Sequence, residues 1–153
     1  VLDSGLLASH KDFKNGGNSS RVVFSKNFVP TESDADDNYG HGTHVAGIAA
    51  GNSSSNNGAY RGVAPNANIV NLKVLDGQGR GQLSWLLNAL DWIKANHQTY
   101  NIRVVNLSLG GRAVDSYTND PACRKVQELN QLGILVVAAA GNDLHLLDAV
   151  EMD

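Results

Sequence analysis

The segment NIVNLKVLDGQGRGQLSWLLNALDWIK, Asn68 to Lys94, changes character midway. Its opening run of Val, Ile and Leu is nearly continuous rather than alternating, the pattern of a strand buried on both faces of a parallel sheet. A glycine-rich turn follows. Beyond it Leu83, Leu86, Leu87, Leu90 and Ile93 fall on one stripe at helical spacing, which predicts an amphipathic helix. Strand, turn and helix in this order make one crossover unit of a parallel sheet.

Three more apolar runs end in Gly or polar turns: VLDSG (Val1–Gly5), IRVVNLSLGG (Ile102–Gly111) and GILVVAAAGN (Gly133–Asn142). Between the last two lies PACRKVQELNQLG, which opens on Pro121 and closes on Gly133 as a helix should. HVAGIAAG (His44–Gly51) predicts a shorter helix of small residues. The reading is an α/β fold in three layers, a mostly parallel sheet with flanking helices. Residues 15–38 differ, with Gly, Asn, Ser and acids around RVVFSKNFV, and read as a surface excursion carrying a strand or hairpin. GNSSSNNGAYRG (Gly51–Gly62) reads as an exposed turn-rich loop or a cation site built from carbonyl oxygens.

A chain of 153 residues suits one domain. The net charge of −3 gives no long-range pull toward phosphate, so nucleic acid is not an expected partner. No apolar run reaches the roughly 18 residues that span a bilayer, so neither is a membrane. Cys123 is the single cysteine, which excludes an internal disulfide; on a helix with apolar neighbours it reads as a buried small hydrophobe. Val1 stands inside a strand pattern, so a longer polypeptide is expected.

Functional groups of a parallel sheet gather at the carboxyl ends of its strands. Asp3 stands there after the first run, Asn106 and Ser108 after the third, and Asn142 after the fourth, while His41 opens the small-residue helix in DNYGHGTHVAGIAAG (Asp37–Gly51). An acid can fix the tautomer of an imidazole so that its free nitrogen takes a nucleophile's proton, and an amide can donate to the oxyanion that develops. That is acyl-transfer chemistry. Rival readings stay open at this point. His41 and His44 have the spacing of a helical metal pair without an evident third ligand. DGQGRGQL invites a nucleotide reading, but lacks the third glycine at the usual offset and does not follow the first strand. Asp34, Asp36 and Asp37 read as a solvated acidic loop.

Taken in order, VLDSG, HGTHVAGI, GVAPNANIVNLKVLDGQGRGQLS, VVNLSLGG and VVAAAGN resemble the subtilisin-like serine proteases, the subtilases, and are similar to the bacterial AprX-like branch. The likeness runs from Val1 to about Asn142. It implies that Asp3 is the triad acid, His41 the general base and Asn142 the oxyanion donor, with His44 in the packing behind. It further implies that Ser108, Leu109 and Gly110 pair with an extended substrate, faced by Gly79, Arg80 and Gly81 with Leu83. The implied reaction is hydrolysis of peptide bonds through an acyl-enzyme, with no cofactor for the chemistry. Asp12, in SHKDF, matches a position that binds structural calcium in many subtilases, with the 52–58 loop beside it. The implied partners are peptide or protein substrates and an N-terminal propeptide in the parent; the implied location is outside a bacterial cell, although intracellular members exist.

One departure shapes the functional expectation. Subtilases place the nucleophile downstream of the oxyanion Asn in a GTSMA-like helix start, and no such motif occurs in the 153 residues. DLHLLDAVEMD (Asp143–Asp153) is apolar and acidic where relatives carry a polar, glycine-bearing loop. The expected organisation is therefore a partial catalytic domain over 1–142 and an atypical tail over 143–153, inactive as it stands. The rival is a catalytically dead peptide-binding module using the same two edges.

Overall fold

The computed structural model describes residues 1–111 and 115–142; the tail over 143–153 lies outside them. Five strands and three α-helices alternate: β1 (Leu2–Asp3), β2 (Val22–Asn27), α1 (His41–Ala50), β3 (Ile69–Lys73), α2 (Leu83–Asn96), β4 (Val104–Leu107), α3 (Pro121–Gln131) and β5 (Leu135–Ala138). Every strand ladder is parallel. β3 pairs with β1 on one side and β2 on the other, β4 pairs with β5, and β4 lies beside β1. Across the layer the order is thus β2, β3, β1, β4, β5. The chain runs from β1 out to the edge strand β2, returns to β3 between them, and then crosses to β4 on the far side of β1, which makes the carboxyl end of β1 a switch point of the topology.

Alternation along β3 sorts the two faces. Leu72 and Val74 join Leu2, Val105, Leu107, Ile134, Ala89, Leu90, Ile93 and Leu129 in a core under α2 and α3. Ile69 packs instead with Leu6, Phe13, Ala46 and Ala50 under α1. Each fully buried leucine in these clusters contributes about 1.5–3 kcal/mol. On α2 the buried stripe runs through Ala89, Leu90 and Ile93, flanked by Leu86, while Leu83 at the first turn is exposed.

Two sequence expectations are corrected and one is narrowed. Of the strand or hairpin expected around residues 22–27 the structure forms the strand: β2 is a parallel edge strand, with a register shift between Val22 and Phe24. Its mixed pattern follows from its place, because an edge strand need not be apolar on both faces. Cys123 is exposed, since Ala122, Val126 and Leu129 form the helical stripe toward the core and position 123 turns away from it. His44 is also exposed; the small face of α1 is Gly42, Ala46 and Ala50, on the opposite side.

Candidate active site

β1 ends on Asp3 and α1 begins on His41, and the two side chains meet: Nδ1 of His41 lies 2.7 Å from Oδ1 of Asp3. Asp3 is 1% exposed whereas the imidazole is 42% exposed. The carboxylate is therefore buried behind an imidazole that solvent can reach. An ionised carboxylate only accepts, so in this contact Nδ1 is the donor, which leaves Nε2 on the opposite side of the ring. Oδ1 of Asp3 also accepts the Ser4 N–H at 2.8 Å, while Oδ2 is buried with no hydrogen-bond partner among the described residues.

The contact is held by backbone placement. Gly42 sits so close to β1 that an added Cβ would lie 2.2 Å from the Gly5 carbonyl oxygen and 3.0 Å from Cβ of Asp3. No other residue fits. Beside it, the Gly42 N–H donates to Oγ of Ser4 at 3.0 Å, and that hydroxyl donates to Oδ1 of Asp37 at 2.7 Å. Asp37 also accepts the N–H groups of Gly40 at 2.8 Å and Thr43 at 2.7 Å, satisfying donors that the start of a helix leaves free. Burial alone would raise the Asp37 carboxyl, but the bonds from Thr43, Ser4 and Gly40 hold it below the ordinary carboxylate value. Asp37 thus caps the start of α1 rather than belonging to a merely solvated loop.

A second buried group ties the same corner. Lys73 faces Asp3 across the β1–β3 ladder and is wholly buried. Its ammonium donates to the carbonyls of Ser4 and, at 2.9 Å, Asp36. It lies 3.1 Å from Oε2 of Glu32, an ion pair without hydrogen-bond alignment. The other oxygen of Glu32 accepts the Gly77 N–H at 2.6 Å. Lys73 and Glu32 therefore join the end of β1, the approach to α1 and the loop after β3. The sequence reading missed Ser4, Lys73 and Glu32; only Lys73 carried a signal, a charged residue inside an apolar run.

The 79–81 turn leaves the carboxyl end of β3. Asp76 holds it, accepting the N–H groups of Gln78 and Arg80, each at 2.9 Å, and the Arg80 guanidinium at 3.2 Å. Gly79, at φ +74°, lies under the Tyr39 ring, and that ring is 6.5 Å from the His41 ring. Tyr39 thus links this turn to the base, a contact invisible in sequence because about 40 residues separate the two segments. Ser108, Leu109 and Gly110 leave the carboxyl end of β4. The last ladder bond there runs from the Ala139 N–H to the Leu107 carbonyl. Past it, no backbone bond among the described residues engages 108–110. Oγ of Ser108 accepts from the Asn106 amide at 2.9 Å. Asn142 follows β5, exposed, after Gly141 at φ +107°. The two turns thus leave the strands on either side of β1, and Asn142 lies one strand further out.

Asp12 does not present a calcium cradle. Oδ1 accepts both the N–H and the hydroxyl of Ser55, at 2.8 and 2.7 Å. The Ser53 carbonyl accepts from Asn56 and Gly58, and Oδ1 of Asn52 accepts from Ser54. A calcium ion wants six to eight oxygens, and three of the oxygens here, Oδ1 of Asp12, Oδ1 of Asn52 and the Ser53 carbonyl, already accept from the loop's own donors. Among the described residues no three His, Cys, Asp or Glu side chains gather around a common point, which also leaves the His41–His44 pair without a third ligand.

A parallel α/β layer with an Asp–His pair at its carboxyl edge is the class of site this chain presents, and the comparisons assign the chain to a family. The model of the Subtilase family matches residues 1–152. The chain belongs to that family. It is 37% identical over 147 residues to serine protease AprX of Bacillus subtilis, covering 93% of this chain and 32% of that protein. It is 41% identical over 145 residues to subtilisin E of the same organism, at 94% and 33% coverage, and 37% identical over 148 residues to its major intracellular serine protease, at 94% and 42%. The crystal structure of a cold-adapted subtilisin-like serine proteinase superposes with a TM-score of 0.70 at 34% identity, covering 92% of this chain and 45% of that one. The chain spans about a third of the length of AprX and subtilisin E.

Proposed function

We propose that this chain supplies the acid and the base of a serine endopeptidase that cleaves peptide bonds in proteins through an acyl-enzyme. The reading rests above all on the 2.7 Å contact between buried Asp3 and reachable His41. Nε2 of His41 takes the proton of a serine hydroxyl supplied by polypeptide beyond these 153 residues and later returns it to the leaving amine, while Asp3 holds the tautomer and steadies the imidazolium. Asn142 donates to the oxyanion. The 79–81 turn and Leu83 on one side, and 108–110 on the other, bind the substrate backbone as an added strand. Subtilases need no cofactor for catalysis. A propeptide belongs to the parent protein, and secretion fits relatives such as subtilisin E, although an intracellular protease also stands among them.

Fluorophosphonate labelling and casein hydrolysis test this reading. The 153-residue chain alone should take no label, whereas the longer parent should be labelled stoichiometrically and should cleave casein. In subtilisin itself, loss of the base costs roughly 10⁶-fold in kcat and loss of the acid roughly 10⁴-fold; His41→Ala and Asp3→Asn in the parent should fall by the same orders. Labelling of the short chain would place the nucleophile within it. A parent that binds peptides but never labels would favour the dead binding module instead.

A further inference from the structure

Arg21 precedes β2 and is 6% exposed, so its charge must be met inside the protein. Three carbonyls meet it. Nη1 donates to Ala67 at 2.6 Å, and Nη2 donates to Asp12 at 2.5 Å and to Ala50 at 2.7 Å. These oxygens come from the turn before β2, the end of α1 and the turn before β3. Convergent carbonyls around a buried positive charge are what a protein builds for a metal ion, yet the occupant here is a side chain. The Asp12 carbonyl also accepts the Asn52 N–H at 3.0 Å, so the guanidinium touches the anchor of the 52–58 loop directly. On the far side of the same residue the carboxylate is committed to Ser55. A divalent ion that took Oδ1 of Asp12 at this corner would have to displace Ser55, and any ion there would sit near the buried guanidinium, whose repulsion is screened little.

We propose that Arg21 is a resident cation that takes over the structural task a bound calcium would perform, so that the 52–58 loop and the end of α1 are ordered without metal. The Asp12 oxygens then split their work, the carbonyl serving Arg21 and Asn52, the carboxylate serving Ser55. Arg suits this task because its planar fork reaches several acceptors at once and stays charged when buried. The consequence is a domain whose stability does not respond to chelators.

Thermal melts of the full chain in millimolar EDTA and in millimolar calcium chloride test the proposal, and it does not depend on the catalytic assignment. Melting points in the two buffers should agree within about 1 °C, whereas a calcium site filled at a thousand times its Kd would raise Tm on the order of 10 °C. Arg21→Gln should lower Tm by several degrees, because it leaves three buried carbonyls short of a charged donor, and Arg21→Lys should recover only part of the loss. Terbium titration of the natural chain covers the case in which the variants fail to fold. Exposed Tyr60, beside the loop, would sensitise an ion bound there, and no emission displaceable by calcium is expected. A calcium-dependent rise in Tm, calcium-displaceable terbium emission, or an Arg21→Gln variant as stable as the natural chain would each overturn the proposal.

Discussion

Replacing Lys73 by Met keeps the volume of the side chain and removes its charge, so it isolates what the buried ammonium does. Two carbonyls, of Ser4 and Asp36, lose their donor. Glu32, whose side chain is only 20% exposed, loses the partner 3.1 Å away. Breaking a buried ion pair by removing one member costs about 3–5 kcal/mol, and the partial exposure of Glu32 places this part near the lower end. Each orphaned carbonyl adds about 1 kcal/mol, and apolar packing of the Met returns a similar amount. The expected loss is about 4 kcal/mol, a large share of the 5–15 kcal/mol that holds a domain together. Urea unfolding followed by circular dichroism at neutral pH measures it. The second substitution, Glu32→Gln on top of Lys73→Met, removes the stranded charge while keeping an acceptor for the Gly77 N–H, and should restore about half of the loss. A single variant less stable by under about 1 kcal/mol, or a double variant no better than the single, would refute the reasoning.

Asp37→Ala removes the cap of α1 and should cost about 1–2 kcal/mol at neutral pH, read by urea unfolding. Because the folded carboxyl lies below its ordinary value of 3.8, its contribution is present above that pH and fades as pH falls through the folded value. The gap between natural chain and Asp37→Ala should therefore close in acid, and a gap constant down to pH about 2 would contradict the capping role. Gly42→Ala sets two effects against each other. Helix propensity favours Ala by about 1 kcal/mol, while the 2.2 Å clash with the Gly5 carbonyl should cost about 1–3 kcal/mol or more and push His41 off Asp3. A net gain in Tm would show that the close approach is not required.

Much of the fold was legible because buried parallel strands and amphipathic helices write themselves into local composition. The runs around Leu2, Leu72, Val105 and Val136 each became a strand, and the α2 stripe at Leu86, Leu90 and Ile93 became a buried face. β2 was legible as a strand or hairpin, but its parallel edge position was not, because pairing with β3 is a property of the folded sheet and not of local composition. Cys123 and His44 were misread for the same physical reason: a helix rotates about 100° per residue, so neighbours in sequence fall on different faces. At the site, Asp3 and His41 could be paired from their motifs and strand-end positions. Their supports could not. The Lys73–Glu32 pair, the Ser4–Asp37 bridge and the Tyr39–Gly79 contact join segments far apart in the chain, and only the folded crossover brings them together.

The most direct test of the Asp3–His41 assignment needs no substrate. A nitrogen-15 correlation spectrum of the imidazole rings reports which ring nitrogen carries the proton and how strongly that proton is held. For His41 the account predicts a protonated Nδ1 with a strongly downfield proton protected from exchange, a free Nε2, and loss of that proton signal in Asp3→Ala while half-buried His97, at the end of α2, is unchanged. A His41 ring protonated on Nε2, or one indifferent to Asp3→Ala, would contradict it.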